Sequence, residues 1–274
     1  MNYGYNIFFK NISGGGGPSI DADAQAYYDA LNTENGGQVD YNTLYGISNS
    51  AALTAFSNFA AGCKTDGVYS LLTHLWPMFG GTAATHAVCF IDAASELTYT
   101  GLPTHSASGV TLNGTTQYIN CNNDPSVDTA ALDNHLMMWF DTVDTVYGFG
   151  SRNASDESLV YIQNGANALG DDTDAANRLT AANSNLDEVN MLTRVSLTDL
   201  QIYVDGSSIG TQTAINTGSL PTAETTLGAW NNNGSPVAYG AGDVKAGSIG
   251  DGMTATQAAN FTTRLKTLNT TFGR

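Results

Sequence analysis

Positive charge is scarce in this sequence. Its 274 residues include nine lysines and arginines against 25 aspartates and glutamates, which gives a formal net charge of −16. Nucleic-acid binding depends mainly on neutralising phosphates with lysine and arginine, and no basic cluster occurs here. The composition therefore excludes nucleic acid as a partner, and it disfavours an anionic membrane surface for the same reason. Solubility and cation binding explain the negative charge equally well.

Cysteine is also rare. Cys63, Cys89 and Cys121 are odd in number and irregular in spacing, so they define neither a disulfide framework nor a zinc site. We expect three reduced, partly buried thiols, with one bridge as the alternative. Charged residues of both signs make up 12% of the chain, about half the usual share of roughly 25%, which leaves a polar but mostly uncharged surface.

Long apolar runs are missing. No stretch approaches the roughly 20 apolar residues of a membrane-spanning helix, so the sequence predicts no membrane span. The apolar cluster at residues 7–9 is too short for a signal peptide and has no basic residues at its start. We therefore expect no ordinary secretion signal.

The chain divides into three regions. Residues 1–20 combine aromatic residues with a glycine run, which predicts a flexible arm that is either a docking segment or a frayed terminus. Residues 21–84 show apolar residues at helical spacing and are interpreted as a helical attachment region, with helices expected after Asp21, over 51–61 and over 65–76. Residues 85–274 are expected to form a β-sandwich that ends in a helix starting at Thr254.

Two short apolar-alternating segments contain turn dipeptides. Asp205-Gly206 interrupts residues 200–209, and Asn113-Gly114 interrupts residues 110–119. Such dipeptides favour two-residue β-hairpins, because both central residues need positive φ. Further strands are predicted at 87–91, 135–141, 146–150, 159–162, 191–197, 225–228 and 246–250, whereas 165–185 is interpreted as a long loop. The fold class is therefore mainly β, a sandwich or jelly roll.

Several of these segments together resemble the laminin-G-like, concanavalin A-like lectin/glucanase domains. The hairpin at 201–206, the segment 109–119 and the strand at 226–229 are similar to elements of that fold, in its order. The resemblance covers about residues 85–252. It implies a concanavalin A-like jelly-roll sandwich.

A narrower resemblance joins the residues before the sandwich to bacteriophage virion proteins. The run 72–86, Leu-Thr-His-Leu-Trp-Pro-Met-Phe-Gly-Gly-Thr-Ala-Ala-Thr-His, is similar to one that leads into the sandwich of such proteins, and 248–274 is similar to their C-terminal stretch. This resemblance implies a spike, fibre or capsid appendage at the virion surface. It would be a homo-oligomer, a trimer or pentamer, that contacts other virion proteins through its N-terminal region and host glycans through its lectin-like domain.

Two alternatives to a virion component remain, both on the same fold. One is a secreted or cell-surface carbohydrate-binding module. The other is a glycoside hydrolase, which would need two carboxylates roughly 5–5.5 Å apart when retaining. The adjacent acidic pairs 156–157 and 187–188 are interpreted as solvated loop charges. No catalytic residue is assigned and the protein is predicted not to be an enzyme, with all four histidines interpreted as structural.

Two clusters are candidate binding sites. Sugar recognition needs an aromatic platform beside polar amides, and one cluster offers both: Trp230, Asn231, Asn232, Asn233 and Tyr239. The alternative is an asparagine-rich surface loop with Trp230 packed inward. Calcium takes carboxylate, amide and carbonyl oxygens, and one segment crowds such groups: Asp171, Asp172, Asp174 and Asn177. These residue types are also the commonest in turns, so the alternative is a turn that binds no metal. Calcium is the only cofactor that we consider.

Overall fold

The computed structural model describes residues 19–142, 146–154, 157–173, 178–184, 187–213 and 217–274. This part of the chain forms three layers: a layer of helices, sheet A and sheet B. The helices are α1 (Ala22–Glu34), α2 (Tyr41–Tyr45), α3 (Asn49–Thr65), α4 (Ala83–Ala87), α5 (Pro125–Asp128) and α6 (Ala255–Thr271). No helix among the described residues is long and apolar enough to cross a membrane.

The strands follow α3 in the chain and precede α6. They are β1 (Leu72–Trp76), β2 (Thr98–Thr100), β3 (Thr104–Ser106), β4 (Gly109–Asn113), β5 (Tyr118–Asn120), β6 (Asn134–Thr142), β7 (Val146–Ala154), β8 (Glu157–Asn164), β9 (Asn167–Asp172), β10 (Leu179–Ala182), β11 (Asp187–Ser196), β12 (Asp199–Val204), β13 (Ser207–Gln212), β14 (Thr226–Leu227), β15 (Trp230–Asn232), β16 (Ser235–Val237) and β17 (Ala241–Gly250).

The strands form two sheets. Sheet A has the order β13-β12-β11-β6-β17-β4-β3, and β1 pairs with the C-terminal half of β17. Sheet B has the order β10-β9-β8-β7-β14-β5-β2, with β15 parallel to β7 and antiparallel to β16. The remaining pairs are antiparallel. The mainly β jelly-roll sandwich that the sequence predicts, with an N-terminal helical region and a C-terminal helix, is confirmed.

The core of the sandwich lies between the two sheets. Leu136, Met138 and Phe140 of β6 face it from sheet A, and Phe149 and Tyr161 face it from sheet B. All five are at most 1% exposed. Alternation along each strand places the intervening residues on the outer face of its sheet. The apolar residues of β6 are therefore divided between the sandwich core and the outer face of sheet A.

The helical layer packs on the outer face of sheet A. Met137 and Trp139, which point away from the sandwich core, join Phe56 of α3 and Phe261 of α6 in a second apolar cluster. Each long helix begins at a residue whose side chain caps a backbone N–H, as the sequence predicts at Asp21 and Thr254. The helices therefore cover sheet A, while sheet B carries no helical layer within the described residues.

The helix predicted over 65–76 is wrong. Residues 69–71 form a single 3-10 turn, and β1 follows as a strand of sheet A. Its residues pair with 247–250 of β17, so β1 adds a further strand to sheet A. The apolar spacing at 68, 71, 72 and 75 imitates a helix because the turn and the strand bury successive residues. The sandwich consequently includes residues before position 85.

One of the two predicted hairpins is confirmed. Asp205 and Gly206 have φ values of +50° and +77° and connect β12 to β13. The hairpin at Asn113-Gly114 is wrong, because β4 belongs to sheet A and β5 to sheet B. Oδ1 of Asn113 accepts bonds from the N–H groups of 115, 116 and 117 at 3.0, 3.0 and 3.2 Å. That side chain stabilises a wider turn, which carries the chain across the sandwich.

Two other predictions are wrong. Residues 165–185 include β9 and β10 rather than one long loop. Their signal is weak because small residues face the core: a Cβ on Gly170 would lie 2.4 Å from Cδ1 of Leu192. The strand predicted at 87–91 is wrong: α4, which starts at the capping box of Thr82 and Thr85, includes Ala87, and the described residues 88–91 form no strand.

Candidate functional site

The outer face of sheet B is the broad face of the sandwich that no described helix covers. A small apolar patch lies on it, formed by Val160 and Ile162 of β8 and by Trp230 of β15, and all three side chains are buried. Val160 and Ile162 alternate with Leu159 and Tyr161, which face the sandwich core. We call this surface, with the polar residues around the patch, the sheet B face.

Trp230 is buried at the sheet B face and is 7% exposed. Its ring packs over Gly148 of β7, where an added Cβ would lie 2.5 Å from Cδ1 of the indole. The guanidinium of Arg152 also lies over the ring, with its Cζ 4.9 Å from the ring centroid. Trp230 is thus packed inward, as in the alternative interpretation, and it orients Arg152 rather than presenting a free ring.

Arg152 is a residue that sequence analysis missed. Its Nη2 donates to Oδ1 of Asn232 at 3.4 Å, and Asn232 is its neighbour in the register of β7 and β15. No carboxylate of the described residues forms an ion pair with it. The sequence signal was a single cation just beyond a predicted strand, in a chain with very few cations.

Every other described lysine or arginine pairs with a carboxylate or donates to backbone carbonyl oxygens. Six form ion pairs with aspartates: Lys64, Arg178, Arg194, Lys245, Arg264 and Lys266. Arg274 donates to the carbonyl oxygens of Pro77, Met78 and Lys245 at 3.3, 2.8 and 3.0 Å. Lys10 lies outside the described residues.

The remaining residues of the predicted sugar site serve the β15–β16 turn or lie apart from Arg152. Nδ2 of Asn231 donates to the carbonyl oxygen of Glu224 at 2.9 Å, and its Oδ1 accepts from the N–H of Gly234 at 2.8 Å. Asn233 is exposed in that turn with φ +52°. Tyr239 is partly exposed, and its ring lies 6.3 Å from that of Tyr118. The structure therefore groups Trp230 and Asn232 with Arg152.

The structure does not bring Asp171 and Asp172 of the predicted calcium site together. Neighbouring residues of β9 point to opposite faces, and each aspartate meets a different arginine. Nε and Nη2 of Arg178 lie 2.6 and 2.5 Å from the two carboxylate oxygens of Asp171. Nη1 of Arg194 lies 3.1 Å from Oδ2 of Asp172, with both side chains fully buried.

The other predicted calcium ligands, Asp174 and Asn177, lie outside the described residues. Among the described residues, no group of three or more histidine, cysteine, aspartate or glutamate side chains is arranged to hold a metal ion. Burial raises the pKa of Asp172 to about 7, although Arg194 acts to lower it. The carboxyl of Asp172 is therefore part of a buried pair that joins sheet B to sheet A.

The acidic pair 187–188 lies on a strand, so its interpretation as solvated loop charges is wrong. Asp187 of β11 is opposite Asp141 of β6, and Nζ of Lys245 lies 3.1 and 3.2 Å from their carboxylates. Glu188 points to the other face. Burial raises the pKa of Tyr147 there, and the charge of Glu188 raises it further. These carboxylates belong to separate networks on the two faces of sheet A.

The three cysteines, His86 and His135 are buried, whereas His74 and His105 are partly exposed. All three cysteines are free, as predicted. Nε2 of His86 accepts from the N–H of Gly81 at 3.1 Å, so its proton is on Nδ1, which lies 3.0 Å from Nδ1 of His105. Burial lowers the pKa of both imidazoles. His135 lies 2.6 Å from the carbonyl oxygen of Asp251.

Comparison with known proteins finds similarity in structure only. No model of a protein family matches the chain. No curated protein matches it in sequence. Domain 4 of AbnA, a GH43 extracellular arabinanase from Geobacillus stearothermophilus solved with arabinotriose, has a TM-score of 0.52 and 13% identity, over 70% of this chain and 98% of that chain. This likeness shows the fold.

Two further structures show weaker similarity. The CBM40 of the Ruminococcus gnavus IT-sialidase, bound to α2,3-sialyllactose, has a TM-score of 0.42 and 12% identity, over 54% of this chain and 91% of that chain. Domains LG4-5 of the mouse laminin α1 chain have a TM-score of 0.36 and 15% identity, over 45% and 37%. The chain is a jelly-roll β-sandwich with a helical layer on one sheet.

Proposed function

We propose that this protein binds glycans without hydrolysing them and that it does so on the sheet B face. The observation that carries the proposal is the grouping of Arg152, Trp230 and Asn232 on the outer face of sheet B, which no described helix covers. The other sheet is covered by α1, α3 and α6. A ligand of the sandwich therefore has one broad described surface available to it.

The chemistry of the sheet B face suits a sugar. Sugar hydroxyls need donors and acceptors in fixed positions, which the guanidinium of Arg152 and the amide of Asn232 supply. Trp230 holds the guanidinium in place, so little side-chain entropy remains to be lost on binding. The similar arabinanase domain was solved with arabinotriose, which supports a carbohydrate ligand by fold alone.

We place this protein at the surface of a bacteriophage virion as a spike, fibre or capsid appendage. The resemblance of residues 72–86 and 248–274 to virion proteins supports this setting. Residues 72–86 form β1, the loop after it and α4, and α4 contacts α1 of the helical layer. In this proposal the N-terminal region meets other virion proteins, in a homotrimer or homopentamer.

The helical layer offers a surface for such contacts on the side opposite to the sheet B face. A groove of roughly 1090 Å³ lies between α1 and α3 and is lined by side chains that include Tyr28, Asn32 and Leu53. A second groove, of roughly 470 Å³, lies between α3 and α6. A particle contact there would leave the sheet B face directed outward.

Blocking each face in turn tests the proposed glycan surface. Ser235→Cys places a thiol at the exposed start of β16, and the control Asn58→Cys places one on the exposed side of α3. The native cysteines are buried, so a bulky maleimide should label only the new thiol. We expect the label at 235 to abolish binding on a glycan array and the label at 58 to leave it intact.

Three outcomes separate the parts of the proposal. If the unlabelled protein binds no glycan, the function is wrong. If it binds but the label at 235 has no effect, the surface is wrong. Cryo-EM of particles tests the setting: a projecting oligomer attached by its N-terminal region would support it, and absence of the chain from particles would favour a secreted or cell-surface carbohydrate-binding module.

A further inference from the structure

The sheet B face carries an arginine whose charge no described carboxylate balances. In a chain with a net charge of −16, acidic side chains are abundant, and six of the other described cations have one as a partner. Arg178 of the same face is held by Asp171 through two bonds of 2.5 and 2.6 Å. Arg152 is the described cation on this face that is free to meet an anion.

Arg152 is also held in a fixed orientation. Its guanidinium stacks on Trp230 with 4.9 Å between Cζ and the ring centroid, and Nη2 donates to Asn232. A guanidinium has five N–H donors, and the bond to Asn232, at 3.4 Å, is a weak use of one of them. The other donors lie in one plane, which matches the geometry of a carboxylate.

A second polar group beside Arg152 also lacks a partner. Ser158 of β8 is opposite Arg152 of β7, so the two Cβ atoms lie about 5 Å apart on the same face. The side chain of Ser158 is fully buried, and its Oγ has no hydrogen-bond partner. Buried polar groups are nearly always paired, so this hydroxyl is an unsatisfied group next to Arg152 in the register of the two strands.

We propose that the ligand of the sheet B face is a sugar that carries a carboxylate, and that Arg152 binds the carboxylate. The inference rests on the proposed glycan-binding function and names the class of glycan. Asn232 remains next to Arg152 to bind a hydroxyl of the same sugar. The negative charge elsewhere on the protein is screened over about 8 Å at physiological salt, so the local charge of Arg152 determines that the ligand is an anion.

The test compares an acidic oligosaccharide with a neutral form of the same molecule. The probes are a hexuronic acid oligomer, its methyl ester and a sulfated neutral oligomer, with binding measured by calorimetry. The variants are Arg152→Gln, Arg152→Lys and the control Arg264→Gln, which removes the same charge from the helical layer, where Arg264 pairs with Asp66. Circular dichroism and the melting temperature verify that each variant is folded.

We expect the native protein to bind the acid about tenfold or more tightly than the ester, as charge-assisted hydrogen bonds imply. Arg152→Gln should lose this preference, Arg152→Lys should keep part of it, and Arg264→Gln should keep all of it. Equal binding of acid and ester by the native protein would overturn the inference and leave the proposed function standing. Preference for the sulfated oligomer would overturn the carboxylate assignment, and binding of no glycan at all would refute the proposed function itself.

Discussion

Replacing Arg194 with methionine should destabilise the protein strongly, because Arg194 joins the two sheets from a fully buried position. Its Nη1 lies 3.1 Å from Oδ2 of Asp172 on the opposite sheet. Other N–H groups donate to the carbonyl oxygens of Ala131 and Ser196 at 3.2 and 3.0 Å. Methionine fills much of the volume but leaves these carbonyl oxygens without the arginine donors, and it leaves the buried carboxyl of Asp172 with the amide of Asn134 in place of a cation.

Breaking a buried ion pair by removing one partner lowers the free energy of unfolding by about 3–5 kcal/mol. The loss in Arg194→Met should depend on pH, because Asp172 has a pKa of about 7 even beside Arg194. A folded pKa raised above the unfolded value means that the folded state favours the protonated carboxyl, so stability falls as pH rises from about 4 through 7. Without Arg194 this penalty grows, so the loss should be larger at pH 8 than at pH 5.

Urea unfolding of the native protein and Arg194→Met at these two pH values provides the measurement. The double variant Arg194→Met, Asp172→Asn should recover stability at pH 8, because the asparagine cannot ionise. Arg264→Met is the surface control: its partner is Asp66 and its side chain is 41% exposed, so we expect at most about 1 kcal/mol. A loss that is the same at both pH values, or no recovery in the double variant, would refute the reasoning.

Three further predictions concern His135, two glycines with positive φ and the predicted calcium site. Burial lowers the pKa of His135 to about 4, below its unfolded value near 6.5. The contribution of neutral His135 to the free energy of unfolding, about 3 kcal/mol at most, should therefore be lost as pH falls from 6.5 towards 4. Urea unfolding should show a flatter pH dependence in His135→Gln than in the native protein. Gly206→Ala should lower the melting temperature more than Gly67→Ala, because both glycines have positive φ but only at 206 would the new Cβ lie 2.9 Å from a backbone atom; equal shifts would contradict this. Chelation followed by added calcium should leave the melting temperature unchanged, because arginines bind both Asp171 and Asp172, and a calcium-dependent rise would show that these aspartates exchange partners.

The sequence predicts the fold where local chemistry and tertiary packing agree. Asp205-Gly206 sits between alternating apolar residues, and both residues have the positive φ that the turn needs. Asn113-Gly114 has the same local pattern, yet the chain there crosses to the other sheet. The difference depends on where β4 and β5 find their partners, which involves residues far away in the chain.

The candidate site shows a similar division. The predicted sugar site includes two residues of the sheet B face, Trp230 and Asn232, and their role in sugar binding stays a prediction. Arg152 lies beside these residues only because β15 pairs in parallel with β7, a long-range contact that no local pattern reveals. Adjacency in the sequence suggests that Asp171 and Asp172 act together, although neighbouring residues of a strand point to opposite faces of the sheet.

The apolar residues of β6 explain why the helical layer and the sandwich form one folded unit. Residues 136–140 are apolar without interruption, which is typical of a strand that is buried on both faces. One set faces sheet B, while Met137 and Trp139 face α3 and α6. Without the helices, sheet A would expose these side chains, and an exposed apolar surface of this kind promotes association. The N-terminal region is therefore a structural part of the sandwich, and any particle contact made through it would act directly on sheet A.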